Sequence, residues 1–129
     1  MKTMNQTVKK MVPNWVKSYT RSIILKCRQA TWSDRCLPNF IIIGSQKSGT
    51  TSLYNYLSQH PQLVPSFMKE VHFFDGGLNP RVDNFKKGKP WYCAYFPLRK
   101  KMSSNQQTFE ASPLYIFNPL APQRIAHLI

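Results

Sequence analysis

Acidic residues are scarce. The 129-residue chain holds five, Asp34, Glu70, Asp75, Asp83 and Glu110, against 18 lysines and arginines, for a formal net charge of +13. Few carboxylates are therefore at hand to hold a magnesium ion, and the excess implies a polyanionic partner: nucleic acid, anionic lipid, a phosphorylated nucleotide or an acidic glycan. Cysteine is sparse too. Cys27, Cys36 and Cys93 are odd in number and no two have metal-ligand spacing, so free thiols in a reducing compartment are expected. Long hydrophobic runs are missing. A stretch such as Phe40–Ile43 is strand-sized, against the ~18 apolar residues of a membrane span. The N-terminal stretch has neither the apolar core nor the cleavage site of a signal peptide. A soluble, cytoplasmic chain is expected. There is no zinc-finger, RNP or helix-turn-helix pattern, so a basic nucleic-acid-binding module is supported by charge and aromatic content alone.

What is present suffices for one small α/β domain. Hydrophobic residues make up 42% of the chain, too many for a disordered composition, and ten prolines cut it into short elements. Residues 1–36 carry eight basic residues against Asp34, a denser charge than the rest. The division drawn is a basic leader with an amphipathic helix over 1–37 and a second part over 38–129. In the leader, Val12, Trp15, Val16, Tyr19, Ile23 and Cys27 recur at helical steps, with Pro13 at the start. That face fits packing on the domain, and it also fits peripheral contact with a membrane surface. Phe40–Ile43 reads as a buried parallel strand, Thr50–Gln59 as a helix with Leu53, Tyr56 and Leu57 on one face, and Leu63–Pro65 as a second strand. Trp91–Phe96 reads as a short aromatic helix. Phe109 begins a strand, and Asn118-Pro119 opens a helix running to Ile129.

Chemistry concentrates between Gly44 and Ser52. A strand feeds a small-residue turn, and the turn feeds a helix whose first N–H groups have no internal partner. Gly44 and Gly49 permit a tight turn and close approach of the backbone to a ligand. Lys47 adds a full charge, and Thr50, Thr51 and Ser52 add hydroxyls. The spacing of Gly44 and Gly49 matches a nucleotide P-loop, but the following position, where that loop has lysine, is Thr50. The lysine lies earlier, at Lys47. The pattern signals a lysine-assisted phosphate-like ligand and departs from a magnesium-dependent P-loop NTPase or kinase. A merely structural turn remains open on these residues alone.

The stretch Gly44-Ser-Gln-Lys47-Ser-Gly49-Thr50-Thr51, continuing to His60-Pro61, resembles the 5'-phosphosulfate loop of sulfotransferases, in particular the heparan sulfate N- and O-sulfotransferases and their bacterial homologues. Lys69-Glu70-Val71-His72-Phe73-Phe74-Asp75, Trp91-Tyr92 to Phe96-Pro97, and Phe109-Glu110-Ala111-Ser112-Pro113-Leu114-Tyr115 resemble further segments of that family, in the same order. The resemblance spans residues 38–129. It implies a P-loop-like parallel sheet flanked by helices, incomplete here, as in a truncated sulfotransferase domain. It implies 3'-phosphoadenylyl sulfate (PAPS) as sulfonyl donor without a metal, and a hydroxyl or amine acceptor, carbohydrate in kind. Lys47, Ser48, Gly49, Thr50, Thr51 and Ser52 would hold the donor. Glu70 would be the general base, with Lys47 and His72 also catalytic, and Glu70, His72 and Asp75 would face the acceptor. Partial burial is expected to raise the Glu70 pKa toward neutrality. In one departure, the lysine that O-sulfotransferases often carry after the glutamate of the last segment is Ala111 here. In another, the family's 3'-phosphate site lies beyond Ile129, so a fragment is expected.

Overall fold

Parallel pairing needs a crossover between strands, and the helical segments between the short apolar runs supply it. In the computed structural model, which describes residues 13–129, three strands form one parallel sheet. They are β1 (Phe40–Ile42), β2 (Leu63–Pro65) and β3 (Gln107–Ala111), in the order β1-β3-β2. Phe40 pairs with Phe109 and Ile42 with Ala111 on one side of β3, and Leu63 pairs with Gln107 on the other. The helices are α1 (Asn14–Gln29), α2 (Thr50–Leu57), α3 (Gly88–Cys93) and α4 (Ala121–Leu128). The basic stretch before Pro13, with Val12 of the expected amphipathic face, lies outside the described residues.

The central strand is β3, not β1. Every residue from Thr108 to Ala111 is buried, whereas each residue of β1 is half-buried and Ile43 is exposed. The apolar run at 40–43 marks a strand, but its rank in the sheet depends on which neighbours flank it. β3 tolerates Glu110 in its interior because the hydroxyls of Tyr92, Ser112 and Tyr115 meet its carboxyl. Beside β3 lies a core of Val71, Phe73, Phe74, Tyr92, Tyr95, Phe96, Tyr115 and Ala121. It is mostly aromatic: Phe73 stacks on Tyr92 at 4.5 Å, and Phe74 meets Tyr115 edge-on at 5.5 Å. The segment Val71–Phe74 is fully buried yet irregular. Glu70 and His72 take left-handed φ values of 61° and 52°, which break the extended path a strand needs.

Two expected helix faces fall differently. In α2, Leu53 and Tyr56 are exposed, while Thr50 is buried. Tyr54 turns inward instead, donating to the Ser66 carbonyl at 3.2 Å and lying 5.4 Å from the Phe109 ring. In α1, Trp15, Tyr19 and Ile23 are exposed. The helix docks near its C-terminal end, where Leu25 packs on the core and Arg28 donates to the carbonyls of Ala94 and Phe96. α4 starts at Ala121 with a proline in its first turn, later than the Asn118-Pro119 signal. Asn118 caps the turn just before it, accepting from the Leu120 N–H at 2.9 Å.

Candidate active site

The carboxyl ends of β1 and β3 and the segment after β2 converge on one group of side chains. The turn after β1 runs from Gly44 to Gly49 and enters α2 at Thr50. Its two glycines are there for different reasons. Gly49 takes φ +87° at the helix N-cap with open space around it, so conformation alone selects glycine. A Cβ on Gly44 would sit 2.6 Å from Ile116 Cγ2, so there packing selects it. Lys47 is exposed, takes φ 60°, and forms no salt bridge among the described residues. Ser48 is exposed, with its hydroxyl folded back on Ser45. Its hydroxyl donates to the Ser45 carbonyl at 2.6 Å and accepts from the Ser45 N–H at 3.1 Å, bracing the turn. Thr50 is buried, and Thr51 and Ser52 are exposed.

Lys69 links this turn to the second group. Its Nζ donates to Thr51 Oγ1 and to Glu70 Oε1, each at 2.9 Å. Glu70 Oε2 lies 3.6 Å from His72 Nε2, and His72 Nδ1 lies 2.7 Å from Asp75 Oδ2. A polar chain thus runs Thr51, Lys69, Glu70, His72, Asp75. Glu70 and His72 flank buried Val71, and with left-handed backbone at both their side chains still meet. Asn84 and Asn118 donate to the His72 and Asp75 carbonyls and fix the segment from behind.

The electrostatics correct one expectation. The hydrogen bond from Lys69 holds the Glu70 carboxyl below its ordinary pKa, and its side chain is 43% exposed, too wet for burial to push the value up. Asp75, and to a lesser degree Glu70, raise the pKa of His72 by favouring its imidazolium. The carboxyl that burial does raise is Glu110, fully buried in β3 and pushed up to about 7. Ser112 donates to Glu110 Oε2 at 3.1 Å, Tyr115 reaches the same carboxyl at 3.3 Å, and Tyr92 donates to Oε1. Two of these hydroxyls also receive the backbone N–H groups of the site segment: His72 N–H on Ser112 Oγ and Phe73 N–H on Tyr115 Oη. Glu110 therefore anchors, from below, the strained stretch that carries Glu70 and His72. Among the described residues, no group of three or more His, Cys, Asp or Glu side chains is arranged to hold a metal ion.

Residues 38–126, more than half of the chain, match the family model described as the sulfotransferase family. The chain belongs to the sulfotransferase family. It is 41% identical over 100 residues to a bifunctional heparan sulfate N-deacetylase/N-sulfotransferase 1 of Caenorhabditis elegans, covering 74% of this chain and 10% of that protein. It is 38% identical over 90 residues to the membrane-associated sulfotransferase kil1 of Dictyostelium discoideum, covering 70% of this chain and 18% of that one. The crystal structure of a sulfotransferase from Alicyclobacillus acidocaldarius superposes with a TM-score of 0.56 at 30% identity, covering 71% of this chain and 40% of that one. The chain thus spans a tenth to a fifth of these curated relatives and two fifths of the solved bacterial sulfotransferase. The small parallel sheet flanked by helices is a partial sulfotransferase fold.

The candidate site brings together Lys69, Thr51, Glu70, His72 and Asp75, and keeps Gly49 and Thr50 at the helix entrance. Ser48 points into the turn, and Ser52 makes no side-chain hydrogen bond with the described residues. Sequence reasoning missed Lys69, although its place beside Glu70 in the Lys-Glu pair was a usable signal. It also missed Glu110, whose burial no local pattern reveals.

Proposed function

We propose that this chain carries the donor-loop part of a sulfotransferase that moves a sulfonyl group from PAPS to a hydroxyl or amine acceptor, carbohydrate in kind. The observation that carries the reading is the Lys69 bridge: one ammonium group touches both the loop, at Thr51, and the candidate base, Glu70. Donor and acceptor ends of an in-line transfer are thereby held in register. Lys47, Glu70 and His72 all sit in the left-handed region, a strain that concentrates at functional positions.

The loop fits a sulfonated phosphate. Gly49 leaves open space before the free N–H groups of α2, and Lys47 has no acidic partner among the described residues. Lys47, Ser48, Gly49, Thr50, Thr51 and Ser52 form the donor site in this reading, with Ser48 rotating outward when the donor binds. In the reaction the acceptor oxygen or nitrogen forms a bond to sulfur as the sulfur–oxygen bond to phosphate breaks. Glu70, kept ionised by Lys69, takes the acceptor's proton. Charge collects on the leaving phosphate oxygen, where Lys47 and the helix entrance stabilise it. His72, held between two carboxylates, and Asp75 orient Glu70 and meet the acceptor. No metal is assigned a role. The free thiols of Cys27, Cys36 and Cys93 suit the cytoplasm, and no described helix is long and apolar enough to cross a membrane. The division into a leader over 1–37 and a catalytic part over 38–129 belongs to the same proposal.

The test is calorimetric titration of the chain with 3'-phosphoadenosine 5'-phosphate in magnesium-free buffer, alongside Lys47→Ala and Lys69→Met. The reading expects binding that Lys47→Ala weakens by about tenfold or more, the effect of one charge-assisted contact. Equal binding by Lys47→Ala, or none by a folded chain, overturns it.

A further inference from the structure

A second group of cations lies where the C-terminal end of α1 meets the domain. Arg28, Arg35, Phe67, Tyr95 and Lys101 line a cavity of about 330 Å³ that includes no residue of the Gly44–Thr51 loop. Arg35 is buried at 6% exposure. Its Nη1 donates to the Phe96 carbonyl at 2.8 Å and its Nε to the Arg28 carbonyl at 2.9 Å. Arg28 donates from Nη2 to the same Phe96 oxygen at 2.8 Å and from Nε to Ala94, with its guanidinium 4.8 Å over the Phe67 ring. Arg99 donates to the Arg35 carbonyl at 3.2 Å. These bonds leave Arg28 Nη1 and Arg35 Nη2 without a hydrogen-bond partner among the described residues.

No carboxylate answers this charge. Glu70, Asp75 and Asp83 are paired with Lys69, His72 and Arg124, and Glu110 is buried against Tyr92. Asp34 is exposed and forms no ion pair among the described residues, and residues 1–12 contain no Asp or Glu. Two guanidinium groups sharing one carbonyl oxygen in a half-dry site repel each other, and backbone dipoles offset only part of that charge. Burial and the neighbouring Arg35 both lower the Arg28 pKa, consistent with that repulsion. Tyr95 also lines an adjoining cavity of about 520 Å³ that carries Lys17 and Arg21, so the basic character extends along α1. Planar donor forks with free N–H groups and an ammonium beside them suit a tetrahedral oxyanion.

We propose that the cavity between Arg28, Arg35 and Lys101 is a second anion site, separate from the donor loop, which takes a sulfate or phosphate group, free or esterified to a sugar. The site does not depend on transfer activity. Its test is NMR of the full chain with ¹⁵N-labelled arginine, titrated with inorganic sulfate and, separately, with glucosamine 6-sulfate, against chloride at matched ionic strength. Saturable shifts of the Arg28 and Arg35 Nε–H signals are expected, retained in Lys47→Ala and weakened about tenfold in Lys101→Ala, whose exposed side chain does not support the fold. Because the unmodified chain gives the signal, unfolding of an Arg35 variant cannot mask the answer. A sugar ester that binds at least as tightly as inorganic sulfate assigns the group to a sugar. Tighter binding of the inorganic ion assigns it to the free anion, and either result keeps the site. Shifts that are absent, that chloride reproduces, or that vanish in Lys47→Ala overturn it.

Discussion

Glu110 offers a stability measurement that reports directly on the wiring beneath the site. Its carboxyl is fully buried and pushed up to about 7, with burial as the first cause and the hydroxyls of Tyr92, Ser112 and Tyr115 pulling the other way. In the unfolded chain an ordinary glutamate titrates near 4.3. Between these values the folded state holds a proton that the unfolded state has released. Stability therefore falls as pH rises through this window and levels off above the folded value. From pH 5 to pH 8 the loss attributable to Glu110 is about 2.5 kcal/mol, a sizeable part of a small domain's stability. Glu110→Gln keeps an acceptor for the hydroxyls and cannot ionise. Urea unfolding followed by tryptophan fluorescence at both pH values should show the wild-type slope reduced by roughly that amount in the variant. His72, also raised, contributes loss in the same direction in both proteins and cancels in the comparison. Parallel pH profiles for the two proteins would refute the claim that burial raises the pKa of this carboxyl in the folded chain.

Three further outcomes are expected. Lys69→Met removes the first cause of the low Glu70 pKa, so a carboxyl titration followed by ¹³C NMR should move upward; an unmoved titration contradicts the bridge. Gly44→Ala should destabilise by about 1–3 kcal/mol through the clash with Ile116, and Ile116→Ala, which removes Cγ2 but keeps the Cβ at 2.9 Å, should relieve part of it in a double mutant, whereas Gly49→Ala should cost about 1–2 kcal/mol of which Ile116→Ala recovers none. Thr108 Oγ1 is buried without a hydrogen-bond partner among the described residues, so Thr108→Val should raise the unfolding free energy by about 1 kcal/mol, and a loss instead would mean that the hydroxyl is satisfied.

The loop and the elements around it could be read from local order along the chain. A β-branched run, small residues with Lys47 between two glycines, and an amphipathic stretch ending at His60-Pro61 specify strand, turn and helix through short-range sterics alone. Glu70 and His72 could be named as well, because the contiguous segment Lys69–Asp75 resembles one of the sulfotransferase family, although nothing in its periodicity singled them out. What lay beyond reach depended on partners distant in sequence. β1 became an edge because β3, arriving some seventy residues later, took the centre. Tyr54, not Leu53, turned inward because Phe109 and Ser66 were there to receive it. Glu70 acquired a lowered pKa, and Glu110 a raised one, because an ammonium group stands beside the first and the aromatic core encloses the second. Charge, hydrogen-bonding capacity and helical period belong to the residues themselves and travel with them. Burial and pKa belong to the surroundings, and those exist only once the chain has closed on itself.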